Sequence, residues 1–163
     1  PVALIIKFYQ FIRFAFKQDL FNVKIILKAD SQFDILWEKT RTLYLNTNIR
    51  TSDIINWYCF GNIDYKKVLF GIFFDNELQA YAIFNINKKS KELICSDIWG
   101  INIDKRTIRS FSLAAMQYAK ENAIDIILYP CFDNQLKSIY ARLGLFKYKT
   151  NEHKSKRCIE TFI

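Results

Sequence analysis

A chain of 163 residues is about the size of one domain and can bury roughly two-thirds of the surface its unfolded form exposes. Hydrophobic residues make up 51% and aromatic residues 17%, with only 4 glycines and 2 prolines, which excludes disorder and low complexity. The formal net charge of +8 favours an anionic partner such as nucleic acid, an acidic membrane face or a phosphate-bearing cofactor, although an AT-rich coding sequence produces the same excess of Lys, Asn, Ile and Phe.

The chain starts at Pro1 without a Met or a signal-like segment, and is expected to be a domain fragment. Residues 3–16, ALIIKFYQFIRFAF, read as an apolar helix interrupted along one face by Lys7, Gln10 and Arg13, with Lys17 following. That run is too short for a bilayer core of about 30 Å, so no transmembrane segment is expected. Residues 1–20 are expected to form a connector helix that packs through residues 3–17 against a preceding domain, or lies on a membrane surface as a basic amphipathic helix. The domain proper is then 21–163.

FNVKIIL (21–27) reads as a short strand. In SQFDILWEKTRTLYL (31–45), Ser31 can cap a helix that turns Phe33, Leu36, Trp37, Thr40 and Tyr44 to one face. A second helix covers TSDIINWYCF (51–60), capped by Thr51 or Ser52, with Ile54, Ile55 and Tyr58 inward. The period then changes. KVLFGIFF (67–74), LQAYAIFNI (78–86) and ELICSDIWGI (92–101) read as three antiparallel strands of a meander, apolar enough to be covered on both faces. TIRSFSLAAMQYAKE (107–121) returns to helical spacing through Ile108, Phe111, Ser112, Ala115 and Ala119. A buried strand (124–131), a helix (132–143) and two final strands (145–150 and 157–163) complete the chain.

Cys59, Cys95, Cys131 and Cys158 are scattered without CxxC spacing, and the single histidine, His153, has no partner for a zinc set, so no metal site is expected. Cysteines within apolar strands point to reduced thiols and a cytoplasmic setting. No nucleic-acid-binding signature accompanies the positive charge, and no nucleic-acid partner is expected.

The fourth helix ends in SIYARLGLFKYK, where Leu136, Ile139, Tyr140 and Leu143 form one stripe and Gly144 stops it before a strand. This ending and the element order resemble the Gcn5-related N-acetyltransferase (GNAT) superfamily, whose closing signature is matched by Tyr140, Gly144 and Phe146, with Leu145 where the family more often has Phe. The resemblance runs from residue 21 to 163. A narrower likeness, FDILW (33–37) with NIRTSDIINWYCF (48–60), is to bacterial proteins built from two GNAT-like halves; Arg50 and Trp57 match the pattern there, while Thr51 and Tyr58 depart from it. The chain would then be the C-terminal half.

The resemblance implies an α+β fold with a mostly antiparallel central sheet flanked by helices on both faces, acetyl-CoA or another acyl-CoA as cofactor, and a small-molecule amine as acceptor. It puts Tyr140 in the position of the acid that protonates the departing thiolate, though Tyr140 also lies on the apolar stripe of its helix. Asp97 falls on the strand where the family often carries its base, and a carboxylate in an apolar strand must be hydrogen-bonded or have a raised pKa; it could equally cap a strand end. At the family's pyrophosphate loop the sequence departs, with Ile103, Arg106 and Ile108 where glycine-rich positions are usual. Lys105, Arg106, Thr107 and Arg109 remain as cofactor-binding candidates through charge at that segment. The family's pantetheine-binding asparagine would fall at Asp133, with Asn134 one residue out of register.

Two functions follow from the resemblance: an acyl-CoA-dependent N-acyltransferase, or a non-catalytic GNAT-like module that serves as a binding half of a larger protein.

Overall fold

The computed structural model of the chain describes residues 20–43, 47–61, 66–131, 134–143, 147–148 and 160–162. The helix expected over 3–16, its packing against a preceding domain, and Tyr44, Asp133, Gly144, Leu145, Phe146, His153 and Cys158 lie outside the described residues.

The elements run β1 (Val23–Ile26), α1 (Ser31–Thr40), α2 (Ser52–Phe60), β2 (Lys67–Phe74), β3 (Glu77–Asn87), β4 (Glu92–Gly100), α3 (Lys105–Glu121), β5 (Ile126–Cys131), α4 (Asn134–Leu143), β6 (Lys147–Tyr148) and β7 (Glu160–Phe162). They form one mixed sheet in the order β1-β2-β3-β4-β5-β7-β6. Every pairing is antiparallel except that of β4 with β5.

Both faces of the sheet are covered, as the apolar runs of β2 and β3 require. On one face Val68, Phe70, Ile72, Ala82 and Phe84 pack against Ile108, Phe111 and Ala115 of α3 and Ile139, Tyr140 and Leu143 of α4. On the other, Leu69, Tyr81, Ile83 and Trp99 pack against Phe33 and Leu36 of α1 and Ile55 and Cys59 of α2. Consecutive residues Leu69 and Phe70 serve opposite cores because side chains alternate along a strand. Each large apolar side chain buried in this way contributes about 1.5–3 kcal/mol relative to leaving it in water.

Local chemistry differs from the sequence expectation at three helix ends. Asp30, not Ser31, caps α1, its carboxylate accepting from Gln32 N–H at 3.0 Å. Helix α1 stops at Thr40 instead of reaching residue 45. Thr51 stands at the N-cap of α2 without a side-chain bond. Asp34 does that work from α1, accepting from Ser52 N and Ser52 Oγ at 2.8 Å each, and so joins the two helices. A capping residue distant in sequence escapes a pattern search that looks only at the preceding positions. Within α2, Ile55 and Cys59 face the core, whereas Ile54 is exposed and Tyr58 half-buried.

Candidate active site

Two irregularities in the sheet make the site. The first is a bulge in β4: Phe84 pairs with Cys95 and Ile83 with Asp97, leaving Ser96 as the extra residue. Ser96 Oγ donates to the Ile83 carbonyl at 3.2 Å. Without the bulge, strict alternation would put Asp97 on the same face as Leu93 and Cys95, against α3 and α4. The extra residue turns it to the other face, where its partner Ile83 belongs to the α1/α2 core.

The second is a parting of strands. β4 and β5 pair only through Glu92↔Ile126, Leu93↔Ile127 and Ile94↔Leu128. Beyond that, β5 turns to β7 through Tyr129↔Phe162, Pro130↔Thr161 and Cys131↔Glu160. Among the described residues β4 has no strand partner on its β5 side from Cys95 onward. A cleft of about 730 Å³ opens there, bounded by β4, the 48–50 segment, α2, residues 101–103, and Leu136 and Tyr140 of α4. Parallel strands that part leave backbone groups free to meet a ligand, at a volume normal for small-molecule sites.

Asp97 is set into this cleft by three donors. Arg50 Nε reaches Oδ2 at 3.0 Å and Arg50 Nη2 reaches Oδ1 at 3.1 Å, a forked pair, while the Tyr81 hydroxyl donates to Oδ2 at 3.0 Å. Arg50 is itself fixed: Nη1 donates to Thr47 Oγ1 and, at 2.9 Å, to the Asn48 carbonyl, and its guanidinium lies 3.9 Å from the centre of the Trp99 ring. Trp99 Nε1 in turn donates to Thr40 Oγ1 at 2.7 Å at the end of α1. Of the two alternatives the sequence left for a carboxylate in this strand, hydrogen bonding is the one observed, but its partners, Arg50 and Tyr81, lie 47 and 16 residues away and left no local pattern.

Tyr140 lines the same cleft while its buried ring packs at 5.6 Å from that of Tyr129. The two candidate catalytic residues are therefore brought together, one from β4 and one from α4. Cys95 also lines the cleft, but burial pushes its thiol well above the ordinary range, making it a wall group instead of a nucleophile.

The candidate cofactor-binding residues lie beyond the cleft lining. Lys105 and Arg106 are exposed at the start of α3, with the Arg106 guanidinium 4.0 Å from the Phe21 ring centre. Arg109 is buried. The start of α3 is capped by its own carboxylate: Asp104 accepts from Thr107 N–H at 2.8 Å, and Thr107 Oγ1 donates to the Asn102 carbonyl at 3.0 Å. An acidic cap stands where a helix N-terminus would otherwise attract phosphate. Asn134 is exposed at the start of α4. Among the described residues there is no group of three metal-ligating side chains and no helix long and apolar enough to cross a membrane.

Buried acids here set a pH dependence. Burial raises the Cys59 thiol from 9.0 to about 12, and burial together with the Asp97 charge raises the Tyr81 phenol. A group harder to ionise in the folded than in the unfolded chain supports the fold fully below its unfolded pKa and loses that contribution as pH rises toward its folded one. The urea midpoint should therefore fall steadily as pH is raised from about 8.5 toward 11, within the interval set by unfolded and folded thiol and phenol values. A midpoint independent of pH there would show that these groups ionise freely in the folded protein.

No family model and no curated protein matches the sequence. Solved structures do match. A probable acetyltransferase from Staphylococcus epidermidis is similar at 20% identity and TM-score 0.61, over 86% of this chain and 94% of that one. A Bacillus subtilis acetyltransferase in complex with CoA matches at 13% identity and TM-score 0.55, over 87% and 95%. A tandem GNAT protein from the clavulanic acid biosynthesis pathway matches at 9% identity and TM-score 0.60 over 78% of this chain, which spans 45% of that protein. With helices on both faces of a mostly antiparallel sheet and a cleft where the parallel pair β4 and β5 diverges, the chain has the α+β fold of the Gcn5-related N-acetyltransferases.

Proposed function

We propose that the protein is an acyl-CoA-dependent N-acyltransferase acting on an amine. One observation carries the reading: Asp97 and Tyr140 line a single cleft at the point where β4 leaves β5. The thioester would supply the acyl group, its pantetheine arm fitting the gap between the strands and its phosphates meeting Lys105 and Arg106. Asp97 has four acceptor positions, of which Arg50 and Tyr81 use three, so Oδ1 keeps one for the proton of the attacking ammonium. As the new C–N bond forms and the C–S bond breaks, the Tyr140 phenol would give its proton to the leaving sulfur. The similar structures from Staphylococcus epidermidis and Bacillus subtilis are a probable acetyltransferase and an acetyltransferase in complex with CoA, which supports the reading.

A second reading is favoured by the Asp104 cap. A carboxylate at the N-cap of α3 opposes a pyrophosphate, which suits a non-catalytic half of a larger protein. Calorimetry with acetyl-CoA separates the two. Micromolar affinity that persists when salt is raised from low to about 150 mM is expected for the enzyme, because contacts in the strand gap are not screened as surface charges are. Heat that vanishes with added salt would leave only attraction between an anion and a basic protein, and would establish the second reading.

A further inference from the structure

The polarity of the cleft is unevenly spent. Among its described lining residues Arg50 and Asp97 are the charged ones, and each is the other's partner. Arg50 spends its Nη1 on Thr47 and Asn48 and lays its face on Trp99. The wall thus offers no uncommitted charge to a ligand among the described residues. Around the mouth the chemistry is apolar. Ile49, Ile54, Trp57 and Ile101 line the cleft and are 59%, 42%, 72% and 42% exposed. They come from three separate places, the segment before α2, the outer face of α2 and the turn after β4. Four large apolar side chains left in water around one concavity are a better match to a ligand than to chance, since scattered single ones are the usual pattern. Ile98, Ile103 and Leu136 continue the apolar lining.

We propose that this cleft selects a substrate carrying an apolar chain of medium length beside the reacting group, as a fatty acyl thioester or as an aliphatic amine. The inference rests on reading the cleft as an acyl-transfer site. An acceptor with charges beyond its reacting amine would lose their hydration on entry and find the charges of the described lining already paired, whereas each methylene laid on Ile49, Ile54, Trp57 and Ile101 gains the transfer energy of leaving water.

The test is calorimetry on the intact chain with two series of probes. One compares acetyl-, butyryl- and octanoyl-CoA; the other compares methylamine with octylamine. Full burial of a methylene corresponds to about fourfold in affinity, and partial burial should still give at least about tenfold between acetyl- and octanoyl-CoA. Trp57→Ala, at an exposed position where folding is not at stake, should abolish most of that gain, and Ile54→Asn should do the same. A rise with chain length in the amines alone assigns the apolar chain to the acceptor and supports the inference. Acetyl-CoA binding that is intact, with both series flat within about twofold, overturns the inference and leaves the acyl-transfer reading standing. A chain-length gain that survives both substitutions overturns it too, because the chain then lies elsewhere. Absence of binding by every thioester overturns the acyl-transfer reading instead, and the amine series then decides whether the cleft takes an apolar chain.

Discussion

Replacing Tyr140 by Phe is expected to lower the rate of acyl transfer about a hundredfold while acetyl-CoA affinity changes by less than about threefold. The ring of Tyr140 is 1% exposed and packed against Tyr129, within the core that also holds Ile139 and Leu143, and Phe preserves all of that packing. What the substitution removes is a hydroxyl, and with it the proton that the proposed mechanism gives to the leaving sulfur. The measurement is release of free thiol from the thioester in the presence of an amine, with circular dichroism to establish that the fold is intact. A pH profile sharpens it, since loss of an acid should remove the alkaline limb of the rate. Unchanged turnover would mean that Tyr140 is only a packing residue, which is the other role its position on the α4 stripe allows.

The second large effect is on stability. Arg50→Met should destabilise the protein by about 2–3 kcal/mol, read as a lower urea midpoint at constant slope. The Arg50 and Asp97 side chains are 14% and 25% exposed, so the pair lies between a buried ion pair, whose disruption costs about 3–5 kcal/mol, and a surface pair worth about 1 kcal/mol or less. Most of the loss arises because Asp97 keeps its charge and loses two of three donors. Further contacts fail at once: the Nη1 bonds to Thr47 and to the Asn48 carbonyl, which anchor the segment before α2, and the guanidinium face on Trp99. Adding Asp97→Asn to Arg50→Met should restore more than half of the stability, because the orphaned charge is removed. If the double variant is as unstable as the sum of the singles, the two residues do not act as a pair.

Much of the fold was legible in order. The helix over 107–121 could be read from Ile108, Phe111, Ala115 and Ala119 because burial on one helical face imposes a 3.6-residue period on a single continuous segment. The strands β2, β3 and β4 were legible for a related reason: runs apolar on both faces need a sheet with helices on each side. Asp97 could be singled out because a carboxylate in such a run is costly without partners. Helix ends were less legible. The cap of α2 comes from Asp34, eighteen residues before Ser52, and its distance hides it from local patterns.

The sequence by itself therefore determined the succession of elements, the two-faced sheet and the two residues most worth testing, Tyr140 and Asp97. The elements and the two-faced sheet follow from periodicity and Asp97 from an isolated carboxylate in an apolar run, both properties of neighbouring residues along the chain, whereas Tyr140 was singled out by the resemblance of the α4 ending. The tertiary structure decided which face Asp97 occupies, through one extra residue at Ser96. It also decided that Arg50 and Tyr81 hold the carboxylate, that Asp104 occupies the start of α3, and that Ile49, Ile54, Trp57 and Ile101 surround one cleft. Such contacts arise because a bulge shifts register and three-dimensional packing joins segments dozens of residues apart, and neither leaves a period that a local reading can detect.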